Sequence, residues 1–237
     1  DESTFQGHGG AGKSFRSSIP EGLPDDIEFN PGGLAVAWAE ENSRSAIFDA
    51  FKRKEVYGTS GPRFIVRFFV GDNLDKNLCN SPDNISYAYA NATPMGGTIS
   101  SDSLSQPSIF ISASADSSIK DQFIEKLQVV KGVVRNGELL TTVHDVGVTN
   151  AQSKLDISNC EVTGSGEKAM CSVWNDPNFN SSENAYYYVR VVANKSCRWS
   201  HNLCLQNPEY CEADSDASIP KVIQERAWTS PVWLEST

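Results

Sequence analysis

The sequence predicts a mixed α/β beginning that gives way to a mainly β body: a strand–helix–strand unit within residues 1–69, then an antiparallel β-sandwich over residues 70–237. Three observations predict it. Between Leu34 and Phe69 an apolar run, a face at helical spacing and a second apolar run follow one another. Beyond residue 70 the texture changes to short runs of β-forming residues separated by Gly, Asn and Asp turns. All six cysteines fall in that second part, where they read as staples.

Taken in order, residues 1–33 are rich in Gly, Ser, Pro and Asp and read as an irregular lead-in. Leu34 to Ala39 is a short apolar run bounded by Gly33 and Glu40, the pattern of a buried strand. Asn42 and Ser43 are suited to cap a helix over Arg44–Lys54, in which Ile47, Phe48, Ala50 and Phe51 form the apolar face. Val56–Tyr57 and Phe64–Phe69 return to strand character, and such a unit calls for a parallel neighbour reached by a right-handed crossover. Further strands are expected at Ser108–Ala115, Lys126–Val134, Leu139–Val146, Met170–Trp174 and Tyr186–Val192. Asn136–Gly137 marks a tight hairpin between the second and third of these. Residues 200–221 read as a long loop pinned by its cysteines, and residues 223–233 as an aromatic, strand-like tail.

With 39% hydrophobic and 21% charged residues the chain has the means to bury a core. Thirty acidic against 20 basic residues leave a net charge of −10, which repels nucleic acid and anionic membrane surfaces alike. No run approaches the about 18 apolar residues that cross a bilayer, so no membrane span is expected. Nor do residues 1–4 resemble a signal peptide, so any export signal is expected to have been removed or to lie on a longer precursor.

Cys79, Cys160, Cys171, Cys197, Cys204 and Cys211 include no Cys-x-x-Cys pair, and only His8, His144 and His201 accompany them. Disulfides therefore fit better than a structural zinc site. Many connectivities are open; the spacing suggests Cys160–Cys171 and Cys197–Cys204, leaving Cys79 for Cys211. Asn84, Asn91, Asn180 and Asn194 each open an Asn-x-Ser/Thr triplet and are candidate glycosylation sites. Together these features predict a secreted protein, extracellular or periplasmic.

Longer motifs carry a specific likeness. The stretch GGLAVAWAEENSRSAIFDAFKRKEVYGTSGPRFIVRFF, then LQVVKG, VWNDPNF, AYYYVRV, CRWS and IQERAWTSPVW, closely resembles in the same order a family catalogued as domain of unknown function 3604. That family is similar to the polymerase-and-histidinol-phosphatase (PHP) metallohydrolases. The resemblance implies that residues 1–69 hold the last strand–helix–strand unit of a PHP-like barrel, and that residues 70–237 form a disulfide-containing β-sandwich. It also implies a divalent metal. The relatives' His-x-His and Asp-x-His ligand motifs do not occur here, so the metal is expected on an N-terminal part of the same precursor. The expected function is the C-terminal part of a secreted metal-dependent hydrolase, phosphoester hydrolysis being the reaction implied, without catalysis by this part alone. The alternative is a non-catalytic sandwich module in an extracellular assembly.

On that expectation three residues are candidates for the catalytic site. Glu40 follows the first strand, where a barrel collects its catalytic groups, although a solvated loop carboxylate, like its neighbour Glu41, would look the same. Arg63, after Thr59-Ser60-Gly61-Pro62, could clamp a phosphate, or pair structurally with Glu40 or Glu55. His8, among glycines, could fold over a site. The Gly9–Ser14 run lacks the spacing and the preceding strand of a phosphate loop. Asn175, Asp176, Asn178 and Asn180 place oxygen ligands in one short segment, so calcium at Asp176 is weighed against a simple turn. The aromatics Trp174, Tyr186 to Tyr188, Trp199, Trp228 and Trp233 could form a carbohydrate platform; core packing is the reading preferred unless they lie coplanar and exposed.

Overall fold

The structure is a computed structural model that describes residues 32–135, 137–150, 153–206, 208 and 220–236. The first stretch comprises β1 (Leu34–Ala37), α1 (Arg44–Lys52), β2 (Val56–Thr59) and β3 (Ile65–Asp72). Ser43 caps α1 as expected, its hydroxyl accepting the Ala46 N–H at 3.2 Å. A 3₁₀ turn at Leu78–Asn80 and α2 (Asn84–Asn91) follow, then β4 (Ala92–Pro94), β5 (Thr98–Ser100) and β6 (Pro107–Ser114). The long hairpin β7 (Ile124–Arg135) and β8 (Glu138–Val148) turns between Arg135 and Glu138, which lie opposite each other; Gly137 has a φ of +80°, and Asn136 of the expected turn lies outside the described residues. β9 (Lys154–Asp156), β10 (Glu161–Thr163), β11 (Ala169–Asn175), β12 (Ala185–Cys197), α3 (Trp199–Gln206), β13 (Val222–Thr229) and β14 (Val232–Glu235) complete the order.

The chain is mainly β, and its two principal sheets form a sandwich. The larger runs β1-β2-β13-β12-β14-β5, with β7 on the other side of β12 and β8 beyond β7. The smaller runs β11-β6-β3-β4, and β9 and β10 make a separate ribbon. Val66, Phe68 and Val70 of β3 and Ile109 and Ile111 of β6 meet Leu127, Val129, Tyr187, Val189 and Val191 of the larger sheet in one core. The smaller sheet is buried on its other face too. There Phe69 and Phe110 pack against Leu74, Leu78 and Ala88, which explains why β3 reads as an unbroken apolar run.

Several expectations change. β1 is not a buried strand: Leu34 is 39% exposed, at the sheet edge. Its neighbour is not parallel either, because β1 pairs antiparallel with β2, Leu34 opposite Thr59 and Ala37 opposite Val56. β2 then joins β13 antiparallel, and among the described residues only β14 and β5 pair in parallel. The nine-residue α1 is short enough for the chain to fold straight back beside itself. β3 runs without interruption across the expected boundary at residues 69 and 70. The helices α2 and α3 stand where short strands and a pinned loop were expected. Each is only eight residues, too short for periodicity to declare itself.

The cysteines are paired differently from the expectation. Cys79 is bonded to Cys171, which ties the 3₁₀ turn to β11, and Cys160 is bonded to Cys197. Proximity along the chain misled, since each bridge joins elements that the sheet topology brings together. Cys204 is also disulfide-bonded, and Cys211 lies outside the described residues. No described helix is long and apolar enough to cross a membrane.

Candidate functional site

A cleft of about 700 Å³ opens where the β1–α1–β2 segment meets the edge of the smaller sheet. It exists because β4 is short. β4 covers β3 only from Phe69 to Gly71, which leaves the β3 edge open at Val66. Trp38, just past β1, fills part of that gap and donates its indole N–H to the Val66 carbonyl at 2.9 Å. Gly96 holds the opposite wall. Its φ is +90°, and a Cβ there would lie 2.3 Å from the Arg53 carbonyl oxygen, so only glycine lets this turn approach α1's end.

Inside the cleft a polar network surrounds Glu55, which is only 5% exposed. The Tyr89 hydroxyl donates to Glu55 Oε1 and accepts from Arg67. Arg67 Nη1 lies 3.9 Å from the same carboxylate, and Arg53 Nη2 lies 3.5 Å from Glu55 Oε2. The Arg67 guanidinium also lies 3.2 Å from the centre of the Trp38 ring, a cation–π contact. Burial and the hydrogen bond to Glu55 push the Tyr89 phenol up to about 12, so it remains a proton donor throughout the physiological range. Arg53, with nearly half of its side chain exposed, can still offer N–H groups to a ligand. Pro94 and Met95 supply an apolar wall.

Glu40, an exposed residue, lines this cleft. Arg63 does not join it; its backbone N–H donates to Asp116 Oδ2 at 2.8 Å. Asp116 titrates below the usual carboxylate range because the Ser118 hydroxyl and the Arg63 N–H hydrogen-bond to it. His8 lies outside the described residues. Sequence reasoning weighed Glu55 only as a partner for Arg63 and passed over Arg53, Arg67 and Tyr89. One signal was there: Arg67 is a charge inside the apolar run Phe64–Phe69, and a charge buried in a strand needs a partner.

Asp176, considered for calcium, is wholly buried with a cation already beside it. The Lys131 ammonium lies 2.5 Å from its Oδ2, the Tyr187 hydroxyl donates to the same oxygen at 2.6 Å, and the Asn178 N–H donates to Oδ1 at 2.9 Å. Burial raises this carboxyl, but those three donors outweigh it and hold it below its ordinary range. Among the described residues one group gathers ligand atoms for a metal, Cys160, Cys197 and His201, and two of its three donors are joined in a disulfide. The described residues therefore do not fit a hydrolytic metal. Of the four sequons, Asn194 is 4% exposed, its carbonyl accepting the Phe123 N–H and its amide donating to the Asp121 carbonyl, which puts it out of a glycan's reach in the folded chain.

No curated protein and no solved structure matches this chain. A family described as Protein of unknown function (DUF3604) matches residues 1–236, and the chain belongs to that family.

Proposed function

We propose that this chain is the sandwich part of a secreted PHP-like metal-dependent hydrolase acting on phosphoesters, and that its cleft binds the anionic group of the substrate. The observation that carries the reading is the pair of guanidiniums, Arg53 and Arg67, at a cleft in which Glu55 is the one buried carboxylate. Arg53 and Arg67 take the clamping role expected of Arg63, while Tyr89, donating to Glu55 and accepting from Arg67, fixes Arg67 in place. Glu40, in the lining, is the candidate acid or base. The metal belongs to an N-terminal part of the same precursor. The β1–α1–β2 unit is where that part, the PHP-like barrel, attaches. In support of the attachment, Phe48 and Phe51 of α1 are 58% and 53% exposed, an apolar helix face left without cover.

The experiment is an assay of the precursor, bearing its N-terminal part and loaded with manganese or zinc, against p-nitrophenyl phosphate and bis(p-nitrophenyl) phosphate. Metal-dependent release of nitrophenol is expected, with Arg53→Ala raising KM about tenfold at nearly unchanged kcat. A metal-loaded precursor that hydrolyses neither ester ends the proposal.

A further inference from the structure

β12 divides its aromatic residues between two faces. Tyr187 points into the core and is fully buried, its hydroxyl held by Asp176. Tyr186 and Tyr188, on either side of it, lie on the opposite, outer face of the larger sheet. Register adds two more rings to that face. Trp233 of β14 sits directly opposite Tyr186, and Trp228 of β13 directly opposite Arg190. Trp228 is 37% exposed, and Tyr186, Tyr188 and Trp233 are half-buried. The four rings follow β12 over about 13 Å, from the level of Arg190 to that of Tyr186, at the usual strand rise.

Their attitude matters as much as their number. Tyr186 and Tyr188 are nearly parallel, 16° apart with centroids 6.4 Å from one another. Tyr186 lies down on β7 at Gly132, where any Cβ would come within 2.2 Å of the ring. Val130, opposite Tyr188 and on the same outer face, is 1% exposed. Tyr186, laid on the sheet, and Tyr188, nearly parallel to it, cannot serve as knobs for a partner's pockets, the way aromatic anchors act between proteins. They offer a floor.

Beside that floor runs a line of polar groups. Arg190 donates to Gln128 Oε1 at 2.7 Å, Gln128 donates to Asp145 Oδ1 at 2.6 Å, and Lys126 donates to Asp145 Oδ2 at 3.3 Å. These groups hydrogen-bond among themselves, so they present donors and acceptors at fixed places, with Asp145 offsetting one of the two cations. The chain's net charge of −10 opposes a polyanion. Charge and shape together fit a flat, uncharged, hydroxyl-rich ligand whose apolar C–H faces stack on the rings.

The geometry points to a glycan-binding platform on Tyr186, Tyr188, Trp228 and Trp233, taking an extended, uncharged chain of β-linked pyranose rings. Its Trp233 end borders the cleft, where the Trp233 N–H donates to the Gly97 carbonyl at 3.0 Å and the Lys54 ammonium lies 4.7 Å from the ring centre; the proposal does not depend on the hydrolase reading. The probes are β-1,4-linked hexasaccharides of glucose, N-acetylglucosamine and mannose, titrated calorimetrically into the whole chain with tryptophan fluorescence followed in parallel. At least one hexasaccharide is expected to bind and to perturb the fluorescence. Tyr188→Ala and Trp228→Ala should each weaken that binding about tenfold or more, about 1.4 kcal/mol per factor of ten, with the thermal midpoint held, while Arg53→Ala leaves it unchanged. Gly132→Val, which lifts Tyr186 from the sheet, should weaken it as well. Failure of all three hexasaccharides to bind overturns the proposal, and so does binding that survives both Tyr188→Ala and Trp228→Ala. Protection of a cysteine placed by Tyr188→Cys from thiol reagents in the precursor, set against free reaction in this chain, would assign the face to a protein contact instead.

Discussion

At the scale of single residues, the Lys131–Asp176–Tyr187 group decides more stability than any surface ion pair here. Both charges are out of water, with side chains 8% and 0% exposed, so neither tolerates loss of the other. Asp176→Ala leaves a buried ammonium without its counter-charge and should cost about 3–5 kcal/mol in chemical denaturation. Its pH dependence follows from the lowered carboxyl. The folded-state value lies below the unfolded one, so the stabilisation is complete above about pH 3.9 and fades as pH falls through the folded value. Thermal midpoints between pH 7 and pH 2 should therefore fall more steeply for the wild type than for Asp176→Asn. Gly96→Ala is the other residue-scale test. With φ at +90° and two carbonyls in the way, it should lower the thermal midpoint and distort the cleft, whereas Gly137→Ala, which meets nothing within 4 Å, pays only for its φ of +80°.

At the scale of elements, the two resolved disulfides act at different spans. Cys79–Cys171 closes 92 residues and Cys160–Cys197 closes 37. Removing the longer by Cys79→Ser with Cys171→Ser should cost about 4–5 kcal/mol, and removing the shorter somewhat less, as read from denaturant midpoints. Elements were also where the sequence was most legible. Strands such as β7, β8 and β12 announced themselves through runs of β-branched and aromatic residues, though each extends beyond the expected bounds. So did the cap at Ser43 and the positive φ of Gly137 in the hairpin, whose chemistry is local. Pairing partners were not legible. Nothing in Leu34–Ala37 says that it will lie antiparallel to β2, and nothing near Cys79 points to Cys171, since both outcomes depend on distant segments. The cleft was half legible for the same reason: Glu40 could be read from its place after a strand, but the meeting of Glu55, Arg67 and Tyr89 is made by topology.

At the scale of the whole molecule, the described strands interlock across the expected boundary. β2 pairs with β13, and β3 with β6, so residues 32–69 have no sheet of their own. Heat or denaturant should unfold the chain in one transition, with far-ultraviolet and near-ultraviolet signals coincident. Cutting the chain at residue 69 should leave a fragment without stable strand structure by circular dichroism. Two separate transitions would show that the early unit folds alone.

β12 meets β7, β13 and β14, and so its neighbours come from far apart along the chain. That arrangement sets an order in time. For a chain emerging N-terminus first, β2 waits with its edge bare until β13 has been made, and β12 stays one-sided until β13 and β14 arrive. The larger sheet is therefore completed only when its last strands, β13 and β14, are available.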